Sequence, residues 1–555
     1  MRRLGRAPRL PAAGLDRGLT GGLTSGPSCG LAASLALCAV VLASGCAQGA
    51  PKSVVVAVAE TPETLDPVRA ASPAEENACE LVFDGLVNVA ANDSGAASPV
   101  LGLAESIAQD QSDRALYHIT LREAKWHDGR ALDSEDVAAS FAAYADPVNR
   151  SPRREYLLGL IASVAPEGRR SVSVRFREPI AEFRAWYVLA FKIIPKEYRG
   201  ASLPSNHGKT EGLAFASEPV GTGPFRFQSR RGGDIYFAAE PSSWRGPPAS
   251  AGIELRRIPE TKDRIKAFLK GRADIIFDTG PLDRAELERA DGAMVQSFMP
   301  HSFYALAINT RALPLSKGDA RRALARAIDR RNLLPGVTDR QAGIELNCGP
   351  FPEDLLMKVL PEYFRQGFPD RLPWDSGKAA ALAASSSLPG KASASSPGEL
   401  SILAPASWGA FGEKLADGLV GQLGLSGISA RKEILPDESY RSRLESRSYD
   451  LALVLHEGYD NLFSGISALY RSGSPENETG ISDADLDRLL ERRESAVEVT
   501  EWIRDTLALH ELVSGLEPYV PLFTLEKDIF YRNMRGFVIA SDNPFLTAER
   551  WQAAK

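Results

Sequence analysis

The chain has 555 residues, 44% hydrophobic and 25% charged, and its 71 acidic side chains outnumber 65 basic ones for a net charge of −6. That balance excludes the basic surface of an ordinary nucleic-acid binder, and no run of ~20 apolar residues follows position 50 to serve as a spanning helix. A single core stops growing at ~250–300 residues, so two or three lobes are expected.

Residues 1–45 read as an export signal of lipoprotein type. Arg2, Arg3, Arg6, Arg9 and Arg17 form a basic start, and Leu31 to Ala43 is an apolar run too short for a comfortable membrane span. Ser44-Gly45-Cys46 then has the small residues that precede the acylated cysteine of a bacterial lipobox. Cys46 is the expected lipidation site, with plain secretion as the alternative. In the body of the chain Cys79 and Cys348 permit one disulfide or two buried thiols, and neither has metal-ligand spacing.

Val54–Val58 (VVVAV) is a short apolar run between Pro51 and Pro62, as expected of a buried strand. Glu75 to Leu86 reads as a helix. Tyr117, Ile119 and Leu121 alternate with polar residues at strand period. Trp126-His127-Asp128-Gly129 supplies a turn, and Asp133 or Ser134 then caps a helix with Glu135 and Asp136 in its first turn. Val172 to Phe176 alternates like a strand, and 200–209 reads as loop.

From Gly221 onward strands are expected at Phe225–Phe227, Ile235–Phe237 and Ile253–Ile258. A helix over Thr261–Lys270 stops at Gly271, and a strand follows at Asp274–Phe277. This alternation points to α/β architecture. Tyr304–Asn309 opens a further region with helices at Asp319–Leu334 and Trp408–Leu423, and Ala379–Gly398 is part helix, part loop. A strand at Tyr449–Leu455, a helix at Glu501–Leu512 and a strand at Pro518–Thr524 complete the chain.

Enzyme motifs are missing. The six His residues stand singly, and there is no HExxH, CxxC or GxSxG. Gly221-Thr222-Gly223-Pro224 lacks the Lys-Ser/Thr of a phosphate loop and reads as a tight turn. His127-Asp128 reads as structural, since neighbours on a hairpin point apart.

Five segments in order carry a resemblance: Leu65-Asp66-Pro67 with Leu81 to Val87 (LVFDGLV), Tyr117 to Val137, Pro219 to Phe225 (PVGTGPF), Gly271 to Ile275, and Ala307 to Asn309 with Ala320 to Arg330 (ARRALARAIDR). Over roughly residues 54 to 550 the chain resembles the family 5 extracellular solute-binding proteins, the dipeptide, oligopeptide and nickel receptors of ABC importers. The resemblance implies a two-lobed, type II periplasmic-binding-protein fold with an accessory domain, closing over a central cleft. Residues 47–83, 218–303 and 518–555 would form lobe I, 84–217 an inserted accessory domain, and 304–517 lobe II. It implies no catalysis and no cofactor or metal. The partners implied are a peptide or other small ligand and the ABC permease in the membrane, for a monomer in the periplasm or at the cell surface, anchored by lipid on Cys46. Alternatives are a nickel chelate, haem, sugar or opine as ligand, a sensor not coupled to transport, or an exported hydrolase.

The resemblance also implies where ligand would be gripped. Peptide receptors of this kind hold the ligand's α-amine with an Asp in a W-x-x-D run after a strand of lobe II. Here His456-Glu457-Gly458-Tyr459-Asp460 follows Leu455, with His456 at the Trp position and Tyr459 at the Asp position, so Glu457 and Asp460 flank the place of the missing acid. Ala71, Ser72 and Pro73 fall where lobe I offers backbone to ligand. Tyr440, Phe523 and Trp408 are candidate aromatic wall residues, with core packing as the alternative for each.

Overall fold

The computed structural model describes residues 51–553 except 92–96, 199–214, 278–283, 290, 301, 335–343, 347–348, 352–372, 391–397, 457–464 and 540–542. Among the described residues, two large sheets dominate. The first has seven strands in the order Ala293–Phe298, Lys527–Arg532, Ile275–Ile276, Val54–Val58, Gly252–Arg257, Asp234–Ala239 and Phe225–Arg231. Val54–Val58 lies at its centre and pairs in parallel with both Gly252–Arg257 and Ile275–Ile276. A central parallel strand is covered on both faces, which is why this segment is apolar without alternation.

The second sheet has six strands in the order Ile344–Leu346, Tyr519–Leu525, Phe303–Ile308, Leu451–His456, Leu400–Pro405 and Ala430–Leu435. Its strand Phe303–Ile308 sends Phe303, Ala305 and Ala307 into one buried cluster and Leu306 and Ile308 into another on the opposite face. The run FYALAI therefore serves two cores at once.

A four-stranded antiparallel sheet, Ala104–Gln109, Leu116–Leu121, Ser171–Phe176 and Ile161–Gly168, lies in the segment inserted between the first-sheet strands Val54–Val58 and Phe225–Arg231. Its Tyr117, Ile119, Val172, Val174 and Phe176 share one continuous buried cluster with Val54, Val56, Ile253 and Leu255 of the first sheet.

The chain passes between the large sheets twice. The outward crossing runs from Phe298 to Phe303, and the return from Leu525 to Lys527. The return comes later than the boundary expected at 518, because Tyr519–Leu525 pairs antiparallel with Phe303–Ile308 and belongs to the second sheet. Two lobes joined by two short crossings are the architecture of a hinge.

Local chemistry explains several boundaries. The first helix runs Pro73–Val82, earlier than expected, because Ser72 caps it and Glu75 completes a capping box with Pro73 in the first turn. Asp133, not Ser134, caps the helix Ser134–Ala145, and Gly129 turns the preceding loop at φ +88°. The helix expected over 319–334 is broken into Gly318–Ala327 and Arg330–Leu333. Trp408 ends a short 3-10 turn, and the helix proper is Gly409–Leu425. Among the described residues no helix is long and apolar enough to cross a membrane. Cys79 is a buried free thiol, while Cys348 and Cys46 lie outside the described residues.

Candidate functional site

At the two crossings lies a cavity of about 500 Å³. Strand ends of the first lobe bring Val58 and Leu255 to it, together with Phe277 just after Ile275–Ile276. This is the position at the carboxyl ends of parallel strands where ligands collect in open α/β sheets. Ala59, Glu60 and Pro62 extend that wall, and the start of the helix Pro73–Val82 adds Pro73, Ala74 and Asn77. The second lobe contributes Ser302, Tyr304, Leu455 and Leu525.

The walls are mainly apolar, with rings from Phe277, Phe298, Tyr304 and Phe545. The polar groups concentrate at the return crossing: Glu526, Lys527 and Asp528 all reach the cavity, and Glu60 stands exposed on its rim. Asp528 is held internally, since Arg284 donates to its Oδ1 at 3.0 Å and the Ser297 hydroxyl at 2.7 Å. Glu60, Glu526 and Lys527 complete the charged part of the lining.

The residues singled out from sequence divide into four groups. Pro73 lines the cavity, but Ala71 and Ser72 do not offer free amides: the Glu75 carboxylate accepts from both, at 2.9 and 3.1 Å. Trp408 and Phe523 stand one ring behind the wall. Their centroids lie 5.2 and 5.3 Å from that of Tyr304, and with Phe411 at 5.2 Å they brace it. Phe523 is fully buried because its strand is covered on both faces.

Tyr440 is core and not wall: it is buried, and its hydroxyl donates to the Leu453 carbonyl at 2.5 Å. His456 likewise turns inward. Its ring packs 5.2 Å from Phe303 and 5.1 Å from Tyr519, and Nε2 lies 3.4 Å from the Glu478 carboxylate. Burial lowers the His456 pKa to about 3 and raises that of Glu478 to about 7. Glu457, Gly458, Tyr459 and Asp460 lie outside the described residues. Among the described residues no group of three or more His, Cys, Asp or Glu is placed to hold a metal ion.

Sequence reasoning missed Glu60, Asn77, Phe298, Tyr304 and the run Leu525–Ile529. The usable signal was positional: all but Asn77, which stands on the helix Pro73–Val82, lie at or just beyond the end of a strand.

The two motifs with the strongest wording meet away from the cavity. His127 donates its backbone N–H to the Gly221 carbonyl at 2.9 Å, and its ring Nε2 lies 2.9 Å from the Gly223 carbonyl oxygen. The Gly221 amide donates to Nδ1 at 3.3 Å, so the ring is best satisfied with its proton on Nε2. Burial lowers the pKa of this imidazole, which keeps it neutral. The WHDG and GTGP turns are thus a joint between the inserted domain and the first lobe.

A family model described as bacterial extracellular solute-binding proteins, family 5, middle part, matches residues 98–479. The chain is 27% identical over 372 residues to di/tripeptide-binding protein 2 of Pseudomonas aeruginosa, an alignment covering 61% of this chain and 64% of that protein. It therefore spans a little under two thirds of that relative's length. Among solved structures, the ABC transporter substrate-binding protein CtaP of Listeria monocytogenes matches with a TM-score of 0.79 at 17% identity, over 91% of this chain and all of that one. The oligopeptide-binding protein AppA of Bacillus subtilis, solved in complex with a nonapeptide, matches with a TM-score of 0.69 at 17% identity over the same share of this chain and 100% of its own. At these identities the structural likeness speaks for the fold.

Proposed function

Because the chain belongs to the family 5 bacterial extracellular solute-binding proteins, we propose that it is the capture component of an ABC importer. It takes a short peptide into the cavity between its lobes and passes it unaltered to a membrane permease. The observation that carries this reading is the cavity itself, walled by rings from both lobes and bearing partly exposed carboxylates at the crossing. A volume of about 500 Å³ falls within the range of small-ligand pockets. An extended di- or tripeptide, about 7–11 Å long, suits it better than the ~30 Å of a nonapeptide. The relative named for di- and tripeptides supports the same size class.

An α-ammonium taken from water needs a carboxylate partner. Glu60 is the acid proposed for that role within the described residues, with Glu457 and Asp460 as the flanking pair expected from sequence. The protein works outside the cytoplasm, held by lipid on Cys46. Ligand drives closure only through its higher affinity for the closed arrangement of the lobes.

Native mass spectrometry of the purified protein, followed by melting with alanyl-phenylalanine and trialanine, tests the reading. A melting shift of several degrees is expected with the free peptides and none with their N-acetylated forms. A shift with haem or nickel–histidine and none with any peptide would overturn the ligand class. Saturable hydrolysis of the peptides would overturn binding without turnover.

A further inference from the structure

The inserted domain is tied to the two lobes in very different ways. Toward the first lobe it has no separate core, since its strand residues and those of the seven-stranded sheet form one buried cluster. The WHDG–GTGP joint and a buried hub add to this. Asp84 accepts from Thr222 at 3.0 Å and from the Trp244 indole at 2.7 Å, and is paired with Arg245. These two bodies move together.

Toward the second lobe the contact is of another character. The helix Glu182–Val188 turns Ala185 and Val188 into the shared core, and its Phe183 and Tyr187 pack against a buried cluster of the second lobe. Phe183 meets Trp502 edge to face, with centroids 5.7 Å apart and planes at 71°. Beside this contact Arg114 pairs with Glu498 at 2.9 Å, both half exposed. A second cavity of about 520 Å³ opens in the same seam, between Gln109, Arg114, Phe183 and Trp186 on one side and Glu498 and Val499 on the other. A rim-exposed ion pair, an edge-to-face aromatic contact and a gap of this size make a separable interface and not a fused core.

Arg184 makes the seam weaker still. It is 6% exposed, and its buried Nε has no hydrogen-bond partner among the described residues. It lies within electrostatic reach of Glu494 and of the buried guanidinium of Arg493 in the second lobe. Glu494 is already paired with Arg471 at 2.7 Å. Closing the seam therefore buries a cation with one donor unmet, which opposes the gain from the aromatic contact.

We propose that the inserted domain is a clasp: it travels with the first lobe and grips the second through Phe183 and Trp502, and so sets how firmly the lobes hold the arrangement seen here. Rotation about the crossings at 298–303 and 525–527 must slide or part this seam, because the domain cannot stay behind with the second lobe. The clasp acts at a distance from the ligand cavity, and it does not depend on which solute the cavity takes.

Small-angle scattering and hydrogen exchange on the full chain, stripped of ligand, test it directly. Phe183→Ala is expected to enlarge the radius of gyration and to speed exchange several-fold at 182–188 and 499–506, with the two sheet cores unchanged. Arg184→Met removes the buried charge and keeps the volume, so it is expected to shift both readouts the opposite way. Glu498→Arg should loosen the seam, and adding Arg114→Glu should restore it, which separates the clasp from a folding defect. Parental scattering and parental exchange in Phe183→Ala and Glu498→Arg would overturn the proposal. Because the protein is ligand-free throughout, that outcome leaves the peptide reading standing, and failure of peptide binding leaves the clasp standing.

Discussion

His456 and Glu478 show how burial alone can move a proton on folding. In the unfolded chain their ordinary values are 6.5 and 4.5, and in the fold they are about 3 and about 7, desolvation being the leading cause for each. Between pH 4.5 and 6.5 the unfolded pair carries its proton on the imidazole, and the folded pair carries it on the carboxyl. The proton count is the same in both states, so the pair contributes no slope to stability there. Each single variant uncovers the other partner. In His456→Gln the folded carboxyl binds a proton that the unfolded one lacks, so stability falls as pH rises from 4.5 toward about 7. In Glu478→Gln the unfolded imidazole binds the extra proton, so stability rises with pH from about 3 to 6.5. Urea unfolding across this range should give slopes of opposite sign relative to the parent, each about 1.4 kcal/mol per pH unit. Parallel profiles for all three proteins would refute the assignment. None of this was legible in the sequence, where His456 stood at an expected Trp position among the candidate ligand contacts. Composition does not say which face of a doubly covered strand its last residue takes.

At the scale of elements the sequence was more readable, wherever the deciding contact is local. Asp133 caps its helix and Gly129 makes its turn within a few residues; the turn was expected, and the cap was expected at Asp133 or Ser134. The early start at Pro73 follows from Ser72 and Glu75, whose carboxylate accepts the amides of Ala71 and Ser72 and, at 3.3 Å, of Thr64. Glu75→Ala strands these donors and should cost about 2 kcal/mol in denaturant unfolding. Contacts between distant segments were not readable. The helix breaks at Ile328 because Gln422 takes both backbone groups of Asp329, accepting its N–H at 2.7 Å and donating to its carbonyl at 2.9 Å. The GTGP turn is another such case. A Cβ at Gly221 would stand 1.8 Å from the Val82 carbonyl oxygen, and one at Gly223 2.6 Å from the Val82 carbonyl carbon. Gly221→Ala must therefore push the turn off the first helix, at about 1–3 kcal/mol by the usual cost of overpacking. A melting temperature equal to the parent's would refute this cost of the close approach.

For the whole molecule, two lobes and two crossings were legible from length and family wording, while the place of the return crossing was not. An apolar run such as Tyr519–Leu525 suits any buried strand, and only its partner decides the sheet it joins. Its partner is Phe303–Ile308, and this puts Leu525 to Ile529 beside the cavity. Tyr304 leaves the same pair of strands toward the first lobe and, among the described residues, is the largest side chain the second lobe brings to the cavity. Trp408, Phe411 and Phe523 fix its orientation, so the ring faces the cavity with little freedom left to lose. If closure brings this ring onto a peptide, Tyr304→Ala should weaken binding ~10–100-fold, about 1.4–2.8 kcal/mol. Most of the loss should appear as faster release, since truncation alters contacts made after encounter. Tyr304→Phe, which keeps the ring, should lose far less. Trp408→Ala, which removes only a brace, should fall between them. Titration calorimetry and stopped-flow release with one tripeptide would order the three variants, and equal affinities would mean that the guest is gripped elsewhere than against this wall.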